Sequence, residues 1–143
     1  MRVIGIDLGS RRVGVAVSDS AGRLATPREV IARRPPGSGG RSADHAALAR
    51  IIEESGAELV VVGLPRSLDG RERQAARDVR SELDELARVL PVPVTTFDER
   101  LTTVEAHRSL AGAGAGSRRR RRTVDAVAAS ILLQAYLDAK VDD

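Results

Sequence analysis

The run Leu59-Val60-Val61-Val62 is apolar at consecutive positions and opens onto Gly63-Leu64-Pro65. Side chains on a strand alternate between faces, so a strand apolar throughout must be covered on both, as in a parallel sheet flanked by helices. That requirement organises the neighbouring segments. Ala43 to Glu54 carries Ala47, Leu48, Ile51 and Ile52 on one side and stops near Gly56, while roughly Arg71 to Leu90 has Val79, Leu83, Leu86 and Leu90 as an inner stripe. Both read as amphipathic helices, and Val92 to Phe97 follows as a strand.

Upstream, Val3 to Ile6 reads as a strand and Leu8-Gly9-Ser10 as a turn, and Val13, Val15 and Val17 alternate with Gly14, Ala16 and Ser18 in a returning strand. Thr26 to Ile31 is a third strand, and Arg33 to Gly40, rich in Pro and Gly, reads as a mobile surface loop. Downstream, Thr102 and Glu105 have capping-box spacing and start a short helix that stops at Gly112. Gly112 to Gly116 is a hinge. The last helix runs from about Val124 to Asp138, with Thr123 as N-cap and Val124, Val127, Ala128, Ile131 and Ala135 facing inward.

A three-strand meander followed by helix, strand, helix, strand and helices predicts an α/β fold: a mixed five-stranded sheet with helices on both faces, one domain over 1–143. Strands one, four and five should be parallel. Their carboxyl ends then share one edge, where open α/β sheets place their sites, and Asp7, the Gly63-Leu64-Pro65 corner and Asp98-Glu99 meet there.

Asp7 sits at the exit of an otherwise apolar strand, where an ionised carboxylate is costly unless a cation or donor cluster faces it. The plainer alternative is an Asp bonded to its own turn, with Gly9 supplying an awkward backbone angle. At Asp98-Glu99-Arg100 the alternation of the strand lets one carboxylate face Asp7, and Glu99 is the choice. Asp125 lies in the first turn of the expected last helix, where the helix dipole alone would stabilise it. The coincidence of Asp7, Glu99 and Asp125 at ends that one topology gathers makes them a candidate catalytic and metal-binding set. With no cysteine in the chain, such a hard oxygen site suits Mg²⁺ or Mn²⁺. These ions can activate water and stabilise a leaving oxygen in phosphodiester cleavage. Asp98, Arg100 and His107 are supporting candidates, His107 at most in proton transfer, and His45 reads as a surface or packing residue.

Formal charge is +3 at pH 7, yet Arg118, Arg119, Arg120, Arg121 and Arg122 form an unbroken tract. Adjacent like charges repel unless an anion relieves them, so the tract, with Arg11, Arg12 and Arg66, is a candidate nucleic-acid surface. Its plainer alternative is a solvated loop in a chain whose one lysine is Lys140. Phe97 and Tyr136 are the only aromatics, which disfavours recognition by base stacking. No apolar run is long enough to span a membrane, and a cytoplasmic setting is expected.

Gly-Ile-Asp-Leu-Gly-Ser-Arg-Arg-Val-Gly-Val-Ala around Asp7, Gly63-Leu64-Pro65 with Asp69-Gly70, Asp98-Glu99-Arg100-Leu101-Thr102-Thr103 with Glu105-Ala106, and Val124-Asp125-Ala126-Val127-Ala128-Ala129 through Gln134 occur in that order. Together they resemble the YqgF family, also described as pre-16S rRNA nucleases or RuvX-type Holliday junction resolvases. The resemblance implies a ribonuclease H-like three-layer fold, with Asp7, Glu99 and Asp125 at the positions of the family's metal-binding carboxylates. The stretch Pro35 to Gly40 departs from the family pattern. The function implied is phosphodiester hydrolysis, with structured RNA, the 5′ region of a 16S rRNA precursor, as substrate and branched DNA as the alternative. The lack of a clear dimer-forming helix favours a monomer that makes single cuts. Two further alternatives are a non-catalytic RNA-binding assembly factor and a one-domain relative of actin-like ATPases, whose first phosphate loop resembles Gly5 to Ser10.

Overall fold

A computed structural model describes residues 1–9, 11–33, 40–64, 70–98 and 118–141, with the backbone alone given for 40, 41, 70–76, 78, 79, 118–123 and 141. In chain order these form β1 (Val3–Leu8), β2 (Arg12–Ser18), β3 (Ala25–Ala32), α1 (Gly40–Ser55), β4 (Leu59–Leu64), α2 (Gly70–Val89), β5 (Val94–Asp98) and α3 (Arg118–Val141). The sheet order is β3-β2-β1-β4-β5. β1 pairs antiparallel with β2 and parallel with β4, and β4 pairs parallel with β5. The expected parallel set is therefore present, and its carboxyl ends share one edge.

Alternation along the strands divides two cores. Ile4, Ile6, Val13, Val15, Val60 and Val62 meet Leu48, Ile51 and Ile52 of α1 and Leu86 of α2 on one face. Val3, Ala16 and Val61 meet Ala129, Leu133, Tyr136 and Leu137 of α3 on the other. Val60, Val61 and Val62 are all fully buried, which answers the constraint set by their unbroken apolar run. Gly56 ends α1 as expected. Its φ of 73° is open to glycine at little cost, and its amide donates to the Ile52 carbonyl at 3.1 Å.

Three expectations are corrected. The arginine tract is not a loop before the last helix: Arg118–Arg122 form its opening turns, so Thr123 is inside α3 and is not its N-cap. Arginine is a good helix former, and no Gly or Pro interrupts the tract. The buried residues of α3 are Ala126, Ala128, Ala129, Leu132, Leu133, Tyr136 and Leu137, whereas Val124, Val127, Ile131 and Ala135 are only half-buried. The inward face is thus rotated by about one residue, because α3 lies against small residues of the sheet and presents alanine there.

Arg33 is the third. Composition puts it in a mobile surface loop, yet its side chain is 5% exposed. It forms a salt bridge with Glu82 of α2, its Nε lies 3.6 Å from Asp44 Oδ2 of α1, and its Nη1 donates to the Gly9 carbonyl at 2.8 Å. His45, also buried, completes the cluster at 2.8 Å from Glu82 Oε2. The short helix expected from Thr102 to Gly112, the hinge Gly112 to Gly116 and residues 34–39 lie outside the described residues.

Candidate active site

The edge is assembled by register. Asp7 pairs with Gly14 across the β1–β2 hairpin, and such partners have Cα atoms about 4.5–5.5 Å apart. Asp7 shares the α3 face with Val3 and Gly5 and is only 5% exposed. A side chain at Gly14 would collide with α3: an added Cβ would stand 2.1 Å from the Asp125 carbonyl oxygen. At Gly5 an added Cβ would stand 2.7 Å from Leu133 Cβ. The two glycines are the landing points of α3 on the sheet. They bring Asp125 down onto the strand that pairs with Asp7.

Asp125 lies in the third turn of α3, not the first, and the first turn carries no acidic residue. The helix dipole fades within a turn, so it does not account for this carboxylate. What faces it is Arg12, whose Nε donates to Asp125 Oδ2 at 2.5 Å, the two side chains being 30% and 19% exposed. Arg12 and Gly14 share a face of β2, so the guanidinium reaches Asp125 beside the glycine on which that residue rests. Arg11 is exposed in the turn.

Gly9 closes the turn by donating its amide to the Arg12 carbonyl at 3.0 Å. Positive φ among the described residues is confined to Gly22 and Gly56, so Gly9 does not supply the awkward angle expected of it. It serves by lacking a side chain, since a Cβ there would stand 2.6 Å from the Arg12 carbonyl oxygen.

On the far side of the edge, Ile6, Val62 and Thr96 lie in one row. Asp7 is one residue beyond that row and Asp98 two. Phe97 packs toward α3, with its ring 5.8 Å from that of Tyr136 in an edge-to-face contact, so alternation assigns Asp98 to the α2 face. Asp98 and Asp7 are therefore on opposite faces. Glu99, Arg100, His107 and Arg66 lie outside the described residues, as do the side chains of Arg118–Arg122. Among the described residues no group of three or more His, Cys, Asp or Glu is arranged to hold a metal, and no helix is long and apolar enough to cross a membrane.

Fold and edge together define the class: a ribonuclease H-like α/β domain with acidic residues at the carboxyl edge of its sheet. The family model described as "RuvX: Holliday junction resolvase" matches residues 1–139, and the chain belongs to that family of nucleases, hydrolases of phosphodiester bonds. A protein of Desulforudis audaxviator (strain MP104C) named "Putative pre-16S rRNA nuclease" is 43% identical over 98% of this chain and 96% of its own length. One of the same name from Frankia casuarinae is 50% identical over 96% of this chain and 66% of its own length. Among solved structures, T. thermophilus RuvC in complex with Holliday junction substrate has a TM-score of 0.64 at 19% identity, covering 99% of this chain and 96% of that one, a likeness of fold.

Proposed function

We propose that this protein is a divalent-metal-dependent nuclease that trims the 5′ end of a 16S rRNA precursor, with Asp7, Asp125 and Glu99 as its metal-binding carboxylates. The observation that carries the reading is the packing of Asp125 onto Gly14, the register partner of Asp7. Two carboxylates on separate elements are thereby held at one edge. Glu99 is supported by alternation, because Asp98 belongs to the α2 face and the next position of an extended chain belongs to the other.

The donor set fits the ion. Carboxylate oxygens without thiolate are the ligands that Mg²⁺ and Mn²⁺ prefer, and Asp125 already rests against a positive group. When bound, such an ion supplies an acidified water and a stabilised leaving oxygen. The chain's residues supply the rest. Asp7, buried at the strand exit, and Asp125, fixed by the helix contact, set the donor positions. Arg11 and Arg12 offer positive charge beside these carboxylates for the phosphate backbone, and the arginine tract that opens α3 is their candidate extension. The scarcity of aromatics favours recognition of shape and backbone, the mode suited to structured RNA. The names of the relatives support the ribosomal precursor, and the family's description favours branched DNA as the second reading.

The deciding experiment incubates pure protein with Mg²⁺ or Mn²⁺ and precursor 16S rRNA, four-way junction DNA or plain duplex. Wild type should cut the precursor near its 5′ end, while Asp7→Asn, Asp125→Asn and Glu99→Gln abolish cutting but bind RNA as well as or slightly better than wild type. Asp98→Asn should retain cutting. Near wild-type turnover by Asp7→Asn would remove the site assignment, and symmetrical cutting of junctions by a dimer, with the precursor left intact, would establish the second reading.

A further inference from the structure

Two buried or half-buried arginines flank this edge, and they are held in different ways. Arg33 is buried and held by the Gly9 carbonyl and by Glu82, with Asp44 Oδ2 3.6 Å from its Nε. Arg12 is held at one point. Among the described residues its side chain has Asp125 as its hydrogen-bond partner, through Nε alone, and it remains 30% exposed. A partly exposed ion pair of this kind contributes little to stability, so it can be exchanged for another at small cost. It also sits on a carboxylate that the proposed function assigns to a metal ion.

We propose that Arg12 is the internal counter-ion of Asp125: it neutralises this carboxylate in the metal-free protein, yields it to the divalent cation, and is thereby released toward the phosphodiester backbone. The inference rests on the proposed metal-binding role of Asp125 and adds a coupled exchange to it. Two carboxylates that share a metal ion would repel each other without it, and a guanidinium on one of them would relieve that repulsion while the metal is away. A metal ion held by Asp125 would displace the guanidinium from that carboxylate and leave it without its partner beside a site whose substrate is a polyanion. Metal and nucleic acid would then be drawn to the edge by one rearrangement. Arg12 is a positioning residue in the first state and binds phosphate in the second.

The test reads metal binding in the absence of nucleic acid. Mn²⁺ affinity is measured by electron paramagnetic resonance for wild type, Arg12→Gln, Arg11→Gln and Asp125→Asn. A competing pair worth about 1 kcal/mol weakens the metal about fivefold, so Arg12→Gln should tighten Mn²⁺ by about that factor. Arg11→Gln removes the same charge from the neighbouring exposed position and should change affinity less than about twofold. Equal tightening in both variants would make the effect a general field of charge, and unchanged or weaker binding by Arg12→Gln would make Arg12 a prop for Asp125; either result overturns the proposal. A second measurement needs no variant. The ¹⁵N resonance of Arg12 Nε should sit at a hydrogen-bonded position without metal and move to that of a free guanidinium as Mg²⁺ saturates the protein. A resonance that stays in place through saturation also overturns it. Wild-type Mn²⁺ affinity in Asp125→Asn would instead refute the ligand role of Asp125, which is a failure of the functional reading and is recognised separately.

Discussion

Gly14 is the residue on which the site turns. Its position admits no side chain because the backbone of Asp125 occupies that space. Neither partner is the flexible end of a side chain, so an added methyl must lift the helix or bend the strand. Gly14→Ala is therefore expected to cost about 1–3 kcal/mol of stability, the range for overpacked cores, and to abolish cleavage at temperatures where the variant is still folded. Urea denaturation and a cleavage assay at matched Mn²⁺ check both parts; full activity in a folded variant would show that the distance between Asp125 and the sheet is not critical. In the sequence, Asp7 stands out because a carboxylate at the end of an apolar strand is locally anomalous. Gly14 reads only as the small member of an alternating pair, since what it makes room for lies more than a hundred residues away. The same distance hides the Arg12–Asp125 pair: the chain shows Arg12 as one of many arginines, and only the fold gives it a partner.

At the scale of elements, the buried Arg33 cluster ties the end of β3, α1 and α2 to the β1–β2 turn. Arg33 Nη1 donates to the Gly9 carbonyl, and its backbone amide donates to the Arg11 carbonyl at 2.8 Å. Removing one partner of a buried ion pair leaves its counter-charge in a poor environment and typically costs about 3–5 kcal/mol. Arg33→Met is expected to fall in that range, and Glu82→Gln, which still offers Arg33 and His45 an acceptor, to be milder. Chemical denaturation of both variants decides it, and a destabilisation under about 1 kcal/mol for Arg33→Met would mean that the cluster relaxes or admits water. Parallel pairing is legible in the sequence because β4 is apolar on both faces, and the opening hairpin because β2 alternates larger with smaller residues. The face of α3 is not, because Val124 to Leu133 offers apolar residues on most sides and periodicity alone sets no phase. Arg33 is deceptive for a related reason: Arg34-Pro35-Pro36-Gly37 beside it has the composition of a loop, and its acidic partners are on distant helices.

For the whole molecule, the distribution of positive charge matters more than the net +3. Arg118–Arg122 open α3, the helix that carries Asp125. Because these residues are helical, glutamine is the suitable neutral replacement, having a similar helix propensity. Changing all five to Gln is expected to flatten the salt dependence of RNA binding by about 0.7–0.9 log units for each phosphate that is no longer neutralised, with the circular dichroism spectrum unchanged. An unaltered slope across a salt titration would leave the tract without a role in binding.

β1 lies in the middle of the sheet, hydrogen-bonded to β2 and β4 and covered on both faces. Its amide protons can reach solvent only when the sheet itself comes apart, so they belong with the slowest-exchanging in the molecule. Asp7 rides on that strand, whereas Asp125 arrives on a helix docked against one face. The two carboxylates thus depend on different contacts, one on strand hydrogen bonds and the other on the packing of a helix face. A fluctuation that lifts α3 from the sheet would part the pair even with every hydrogen bond of β1 intact.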